Sequence, residues 1–199
     1  MCWNARVSIN TFIITLFSIG LALMNKTEQS KILIFIFAFS LIQLIEYFLW
    51  NNLSNQPVNI LLSNILILIL IFQCFASINL IDDETIRKNM MIIFVSILLI
   101  CLLFHNYSSM NTTVRQNGHL HWNWNESKVI YGIIYLIFFI GPAIFWKNEK
   151  IIQTLLFASI TASLIFSYLA GGGFGTFWCW IANFTSLYLM FKVISSCMP

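Results

Sequence analysis

Hydrophobic residues fill the chain in seven long stretches separated by short polar connections: Val7 to Met24, Ile32 to Trp50, Val58 to Ile81, Asn89 to Phe104, Val129 to Trp146, Ile151 to Leu169 and Phe177 to Val193. Each approaches the roughly 20 residues that a helix needs to cross a bilayer. The runs are continuous rather than alternating, which selects helices over the strands of a membrane barrel. In hydrocarbon every backbone N–H and C=O must be paired within the protein, so helices and closed barrels are the two spanning structures available. The longest polar connection, His105 to Lys128, is too short to bury a core of its own. The pattern therefore predicts an all-α fold in which residues 1–199 form a single transmembrane helical domain of seven spans.

Composition strengthens that expectation. The 199 residues are 59% hydrophobic and 9% charged, with a mean hydropathy of +0.85, against about 25% charged residues in a soluble domain. With the amino terminus outside, the inner connections and tail carry Lys26, Lys31, Arg87, Lys88, Lys147, Lys150 and Lys192, and the outer side carries Arg6, Arg115 and Lys128. That asymmetry predicts an N-out, C-in orientation. The net charge of +3 is then inner-face anchoring, and with no basic run longer than Arg87-Lys88 a nucleic-acid partner is excluded; the expected partners are the lipid bilayer and a small solute or ion. The first stretch is too long for a signal-peptide core, and Ala22-Leu23-Met24 is a poor cleavage site.

Glycosylation sequons at Asn52, Asn106, Asn111 and Asn125 fall on the outer side, although others begin at Asn25 and Asn183. Of the five cysteines, Cys2, Cys101 and Cys179 belong toward the outer face and Cys74 and Cys197 toward the inner. A Cys2–Cys179 disulfide in an oxidising lumen stands beside the plainer reading of small apolar residues. Ser159, Ser163 and Ser167 form a small-residue ladder suited to close helix packing. Gly141-Pro142 predicts a kink in the fifth helix. Gly171 to Gly175, with Phe174 among them, reads as a permissive turn, because it lacks the Lys-Ser/Thr ending and the preceding strand of a phosphate loop. An offset of 119 residues superposes Lys31 on Lys150, Ser40 on Ser159, Asn64 on Asn183, Leu70 on Leu189 and Phe72 on Phe191. That suggests a parallel 3+1+3 repeat of the kind found in small transporters.

Candidate chemistry gathers in the outer half. His105, His119, His121, Glu46 and six tryptophans (Trp3, Trp50, Trp122, Trp124, Trp178 and Trp180) all belong there. Gln43, Glu46 and Trp50 are spaced by three and four residues and share a helix face. Glu46 is the one carboxylate inside an expected span, and an ionisable group there is a functional candidate by default. With Gln43, Trp50, Asn59, Ser63, Asn64 and Asn183 it would wall an outward vestibule; the plainer reading has it bonded to Trp, His or Asn as an interhelical tie. The tryptophans read either as an interfacial belt or as a ligand cage. His119 and His121, with His105 or Glu46, offer a zinc or copper set, but nothing in the spacing supplies the third ligand and no cofactor is expected. A serine-hydrolase elbow is missing, and Lys192 lies too close to the inner end for a retinal protein.

Met1-Cys2-Trp3-Asn4 leading into Val7 to Phe12, Gln43 to Trp50, His121-Trp122-Asn123-Trp124, and Phe177 to Asn183 together resemble a group of uncharacterised multi-pass membrane proteins of giant DNA viruses. The likeness spans nearly the whole chain, and the Ile, Asn and Lys usage fits an AT-rich genome. The family pattern often has Gln-Pro in the third helix, where this chain has Gln73-Cys74, so a proline hinge is not expected there. The resemblance implies a viral origin and a virion or host internal membrane, and it carries no activity. Function is thus expected to be a small-solute or ion transporter or channel. The alternative is a non-catalytic structural component of a viral or host membrane, with an embedded enzyme behind both.

Overall fold

A computed structural model describes residues 4–103, 110–116, 118–123, 128–147, 150–169 and 176–197. In chain order the elements are α1 (Ala5–Met24), α2 (Ser30–Asn51), α3 (Gln56–Asn79), α4 (Glu84–Leu103), β1 (Asn111–Val114), β2 (Leu120–Asn123), α5 (Lys128–Ile140), a 3₁₀ turn (Gly141–Phe145), α6 (Lys150–Leu169) and α7 (Thr176–Cys197). Among the described residues the regular structure is helical apart from one antiparallel hairpin, in which Thr112 pairs with Trp122 and Val114 with Leu120. The loop expected between the fourth and fifth helices is therefore built. Thr and Val in one arm and Leu and Trp in the other favour strands, and Gly118 supplies the left-handed turn residue at φ 76°. Arg115 donates to His119 O and Gly118 to Arg115 O, each at 2.9 Å, which closes the turn.

The helix ends follow local chemistry. Asn4 Oδ1 accepts from Val7 N at 2.9 Å and starts α1. Asp83 accepts from the backbone of Thr85 and Ile86, which draws the charged segment Glu84 to Lys88 into α4, five residues ahead of the apolar run. Asn25, Asn51, Asn52 and Asn79 each return their side-chain amide to the carbonyl four residues earlier, closing three of the apolar helices with polar caps. Gly141-Pro142 ends α5 as expected: Pro142 has no N–H for the α-helical ladder, and the chain tightens into 3₁₀ geometry.

Laterally, α1 packs on α2 and α7, α2 on α3 and α7, α3 on α4, α5 and the hairpin, and α6 on α7. The core between α2, α3 and α5 is aromatic. Phe139 stacks on Phe35 at 5.7 Å and on Tyr135 at 5.0 Å, and Trp146 meets Phe35 edge-on at 5.4 Å. The surface is apolar too, with Phe17, Leu61, Leu68, Ile92 and Phe191 more than half exposed, as a lipid-facing wall requires. Among the described residues, α1, α2 and α3 are long and apolar enough to cross a membrane. The simple expectation of seven uninterrupted apolar spans fails locally: α5 has 13 helical residues before its 3₁₀ turn, and α4 opens on Glu84, Arg87 and Lys88.

At the end of α1, Lys26 sits at φ 50°, with Thr27 N bonded to Ala22 O and Lys26 N to Leu23 O. That is a left-handed helix stop filled by a residue with a Cβ. Lys26→Gly is expected to raise stability by roughly 0.5–1 kcal/mol, read as a higher melting temperature in detergent; an unchanged or lower value would show that the turn is unstrained.

Candidate functional site

The polar residues expected on the outer side are carried by the antiparallel pair α2 and α3. Gln43 and Glu46 lie one turn apart on α2 and both are 0% exposed. Trp50 continues the same face one turn further; its indole N–H is buried and finds no acceptor among the described residues. On α3, Asn59 and Ser63 are buried and face the hairpin. The Asn59 carboxamide acts as a short strand: Nδ2 donates to Thr112 O at 2.9 Å and Oδ1 accepts from Thr112 N at 2.7 Å. Ser63 and Thr112 share a hydroxyl hydrogen bond of 2.8 Å. Thr112, Leu120 and Trp122 occupy the hairpin face toward the bundle, and Thr112 and Leu120 are fully buried. Removing water from these groups strengthens each bond and makes each unsatisfied partner costly.

The remaining expected site residues are distributed differently. Asn64 donates to Ile60 O within α3. Asn183 on α7 donates to Thr11 of α1 at 3.4 Å, in an interface where Thr15 and Ser186 also meet at 2.8 Å. His119 ends the hairpin turn and His121 lies on β2 opposite Thr113. Among the described residues no group of three His, Cys, Asp or Glu gathers as a metal site. Asn52 is engaged as the α2 cap, and Asn111 pairs with Asn123 across the hairpin. His105, Asn106, Asn125, Cys2 and Gly171 to Gly175 lie outside the described residues, as do the side chains of Cys179, Trp178, Trp180, Ser159, Ser163 and Ser167.

A deeper polar set went unread in the sequence. Gln73 donates to Ala38 O on α2 at 3.1 Å and accepts from the Tyr135 hydroxyl on α5 at 2.6 Å. Ser77 donates to Phe139 O at 2.6 Å, and Trp146 donates its indole N–H to Ser77 O at 3.2 Å. At the other end, Lys192 pairs with Glu28 at 2.6 Å and Lys31 with Asp82 at 3.4 Å, while Asp82 also accepts from Lys147 N. A shallow apolar groove of about 300 Å³, its open mouth included, runs between α2, α6 and α7 past Phe35, Phe39 and Leu156 to Thr185. Comparison with protein-family models, curated proteins and solved structures finds no match.

Partial burial in the hairpin turn lowers the His119 pKa below its usual 6.5. A base depressed in the folded state favours the docked hairpin fully above pH 6.5, and that contribution falls away as pH drops below 6.5 toward the depressed value. Amide exchange across residues 110–123, corrected for intrinsic rates, should therefore be slower at pH 7.5 than at pH 5.5, and His119→Gln should flatten the difference. Equal protection of the wild type at both values would show that His119 is not coupled to docking.

Proposed function

We propose that this chain is a seven-span, N-out and C-in membrane carrier of a small solute or ion, with Glu46 as its binding or proton-accepting group and the outer side closed. The observation that carries the reading is a carboxylic acid with no exposed surface, on an apolar helix, at the depth of a second fully buried polar cluster on α3. Burying a carboxyl in hydrocarbon costs several kcal/mol, and an ionisable group within a span is a functional candidate for that reason.

The positions of the helices along the chain support two similar halves around this site. An offset of 119 residues carries Ser30–Asn51 to within one residue of Lys150–Leu169, and Gln56–Asn79 to within one residue of Thr176–Cys197. The contacts follow this relation in part: α1 packs on α7 as α5 packs on α3, and α2 on α3 as α6 on α7, whereas the close α1–α2 packing has no comparable α5–α6 contact among the described residues. Two residues of the repeat, Asn64 and Asn183, remain the paired polar positions of that scheme. The likeness to giant-virus membrane proteins makes a virion membrane or an infected cell's internal membrane the proposed location.

Full burial of Gln43 and Glu46 also favours a second reading, a static membrane component in which both side chains tie helices together. Glu46→Gln separates the two, because Gln keeps the shape and hydrogen-bonding capacity and loses only the ionisable group. In proteoliposomes the variant should remain folded and lose pH-dependent flux of protons or of the co-transported solute. Wild-type behaviour of Glu46→Gln across pH 5 to 8, roughly the interval for a titrating carrier group, would end the carrier reading in favour of the static one. Orientation has its own check: glycosylation mapping or thiol accessibility should find residues 106–128 outside, and cytoplasmic placement would reverse the bundle.

A further inference from the structure

Charged residues at one end of the bundle are drawn together by shared carboxylates. Lys192, toward the end of α7, binds Glu28 just before α2; Lys31, in the first turn of α2, binds Asp82, which also accepts from Lys147 N ahead of α6. Lys31 and Lys192 keep 33% and 38% of their side chains exposed, and Lys147 and Lys150 are exposed. By sequence, segments 25–31, 82–88 and 147–150 together with Lys192 hold seven Lys or Arg against five Asp or Glu. That excess of positive charge at a membrane surface attracts anionic headgroups.

The apolar groove between α2, α6 and α7 begins one turn from these lysines. Lys31, Phe35 and Phe39 recur every four residues on α2 and share a face, and Thr185 and Lys192, seven residues apart, do so on α7. On α6 the groove starts at Ile152, two residues beyond Lys150. Among the described residues that line it, the one hydroxyl, Thr185, already donates to Ala182 O at 2.9 Å, so the groove asks for no polar partner. Nor does it admit another helix: its 300 Å³, open mouth included, is less than the roughly 400 Å³ that a single turn fills at about 10 Å across and 5.4 Å pitch. The matching occupant is a hydrocarbon chain carrying a negative charge at one end.

We propose that this groove is a binding site for one anionic phospholipid, its acyl chain lying past Phe35, Phe39 and Leu156 and its phosphate held by Lys31 and Lys150. The site is independent of the carrier reading, and the N-out, C-in orientation only decides its leaflet. The full chain is placed in nanodiscs of mixed phosphatidylcholine and phosphatidylglycerol that contain a trace of phospholipid with a photoactivatable diazirine in its acyl chain, under one headgroup or the other. After irradiation, mass spectrometry locates the adducts. The phosphatidylglycerol probe should label Phe39, Leu155 and Leu156 about tenfold more than the phosphatidylcholine probe, and Lys31→Gln with Lys150→Gln should remove that preference. Thr185→Phe, which fills the groove, should abolish these adducts and leave labelling of the exposed Ile92 and Ile93 on α4 unchanged. The lysine arm decides the matter even where Thr185→Phe fails to fold. Equal labelling under both headgroups means ordinary surrounding lipid and overturns the proposal, as does a preference that survives the lysine changes. A dimer in native mass spectrometry with the groove unlabelled assigns the face to a second copy and overturns it too.

Discussion

The carboxamide of Gln73 is used at both ends, donating to Ala38 on α2 and accepting from Tyr135 on α5, so three helices meet at one side chain with no exposed surface. Either end left unpaired in a medium without water would cost the full desolvation of an amide. Much of the packing between α2, α3 and α5 follows from this junction. With Tyr135 held, Phe139 one turn later lies against Phe35 and Phe39. Its carbonyl, close to the proline that interrupts α5, is taken by Ser77. Trp146 then returns its indole to the Ser77 carbonyl, so the end of the 3₁₀ turn is fixed to the same turn of α3 from which it was approached.

The helices were legible because their signal is the simplest one available: unbroken apolar runs of spanning length, punctuated by Asn, Lys and Asp. The Gly141-Pro142 break was legible for the same reason, since proline removes a donor wherever it stands. Charged residues before Met90 misled the boundary of α4, where the Asp83 cap outweighed the polarity of Glu84 to Lys88. The hairpin was missed although Asn117-Gly118 between β-branched and aromatic arms is a hairpin signal; in a chain so dominated by helices it read as connection. Glu46 could be singled out because an acid in an apolar run is rare. Gln73 could not, because a neutral amide in a helix shows its importance only when its partners on two other helices are known.

The polar groups of the bundle are arranged as seals at two levels. At the hairpin end the seal is neutral, amide and hydroxyl against strand backbone. At the opposite end it is ionic: Glu28, only 3% exposed, with Lys192, and Asp82 with Lys31. The choice matches the surroundings. Ionic pairs hold best where one partner keeps some water, as Lys192 does, whereas amide and hydroxyl pairs can be closed off without stranding a charge. Between the seals the groove past Phe35 and Phe39 is almost wholly apolar.

The α1–α7 interface bears on how the molecule is made. Ser8, Thr11, Thr15 and Ser18 form a hydroxyl stripe on the first helix, and the partners of Thr11 and Thr15 are Asn183 and Ser186 of the last. A ribosome delivers those partners only after more than 150 further residues have been threaded into the membrane. Ser8, Thr15 and Ser18 already lean back on carbonyls of their own helix, so the stripe can wait in lipid with its hydrogens occupied. α7 thus completes a contact that α1 holds ready. A chain that stops short of Asn183 leaves Thr11 and Thr15 without these partners on α7, and α1 then relies on its own backbone for its hydroxyl bonds.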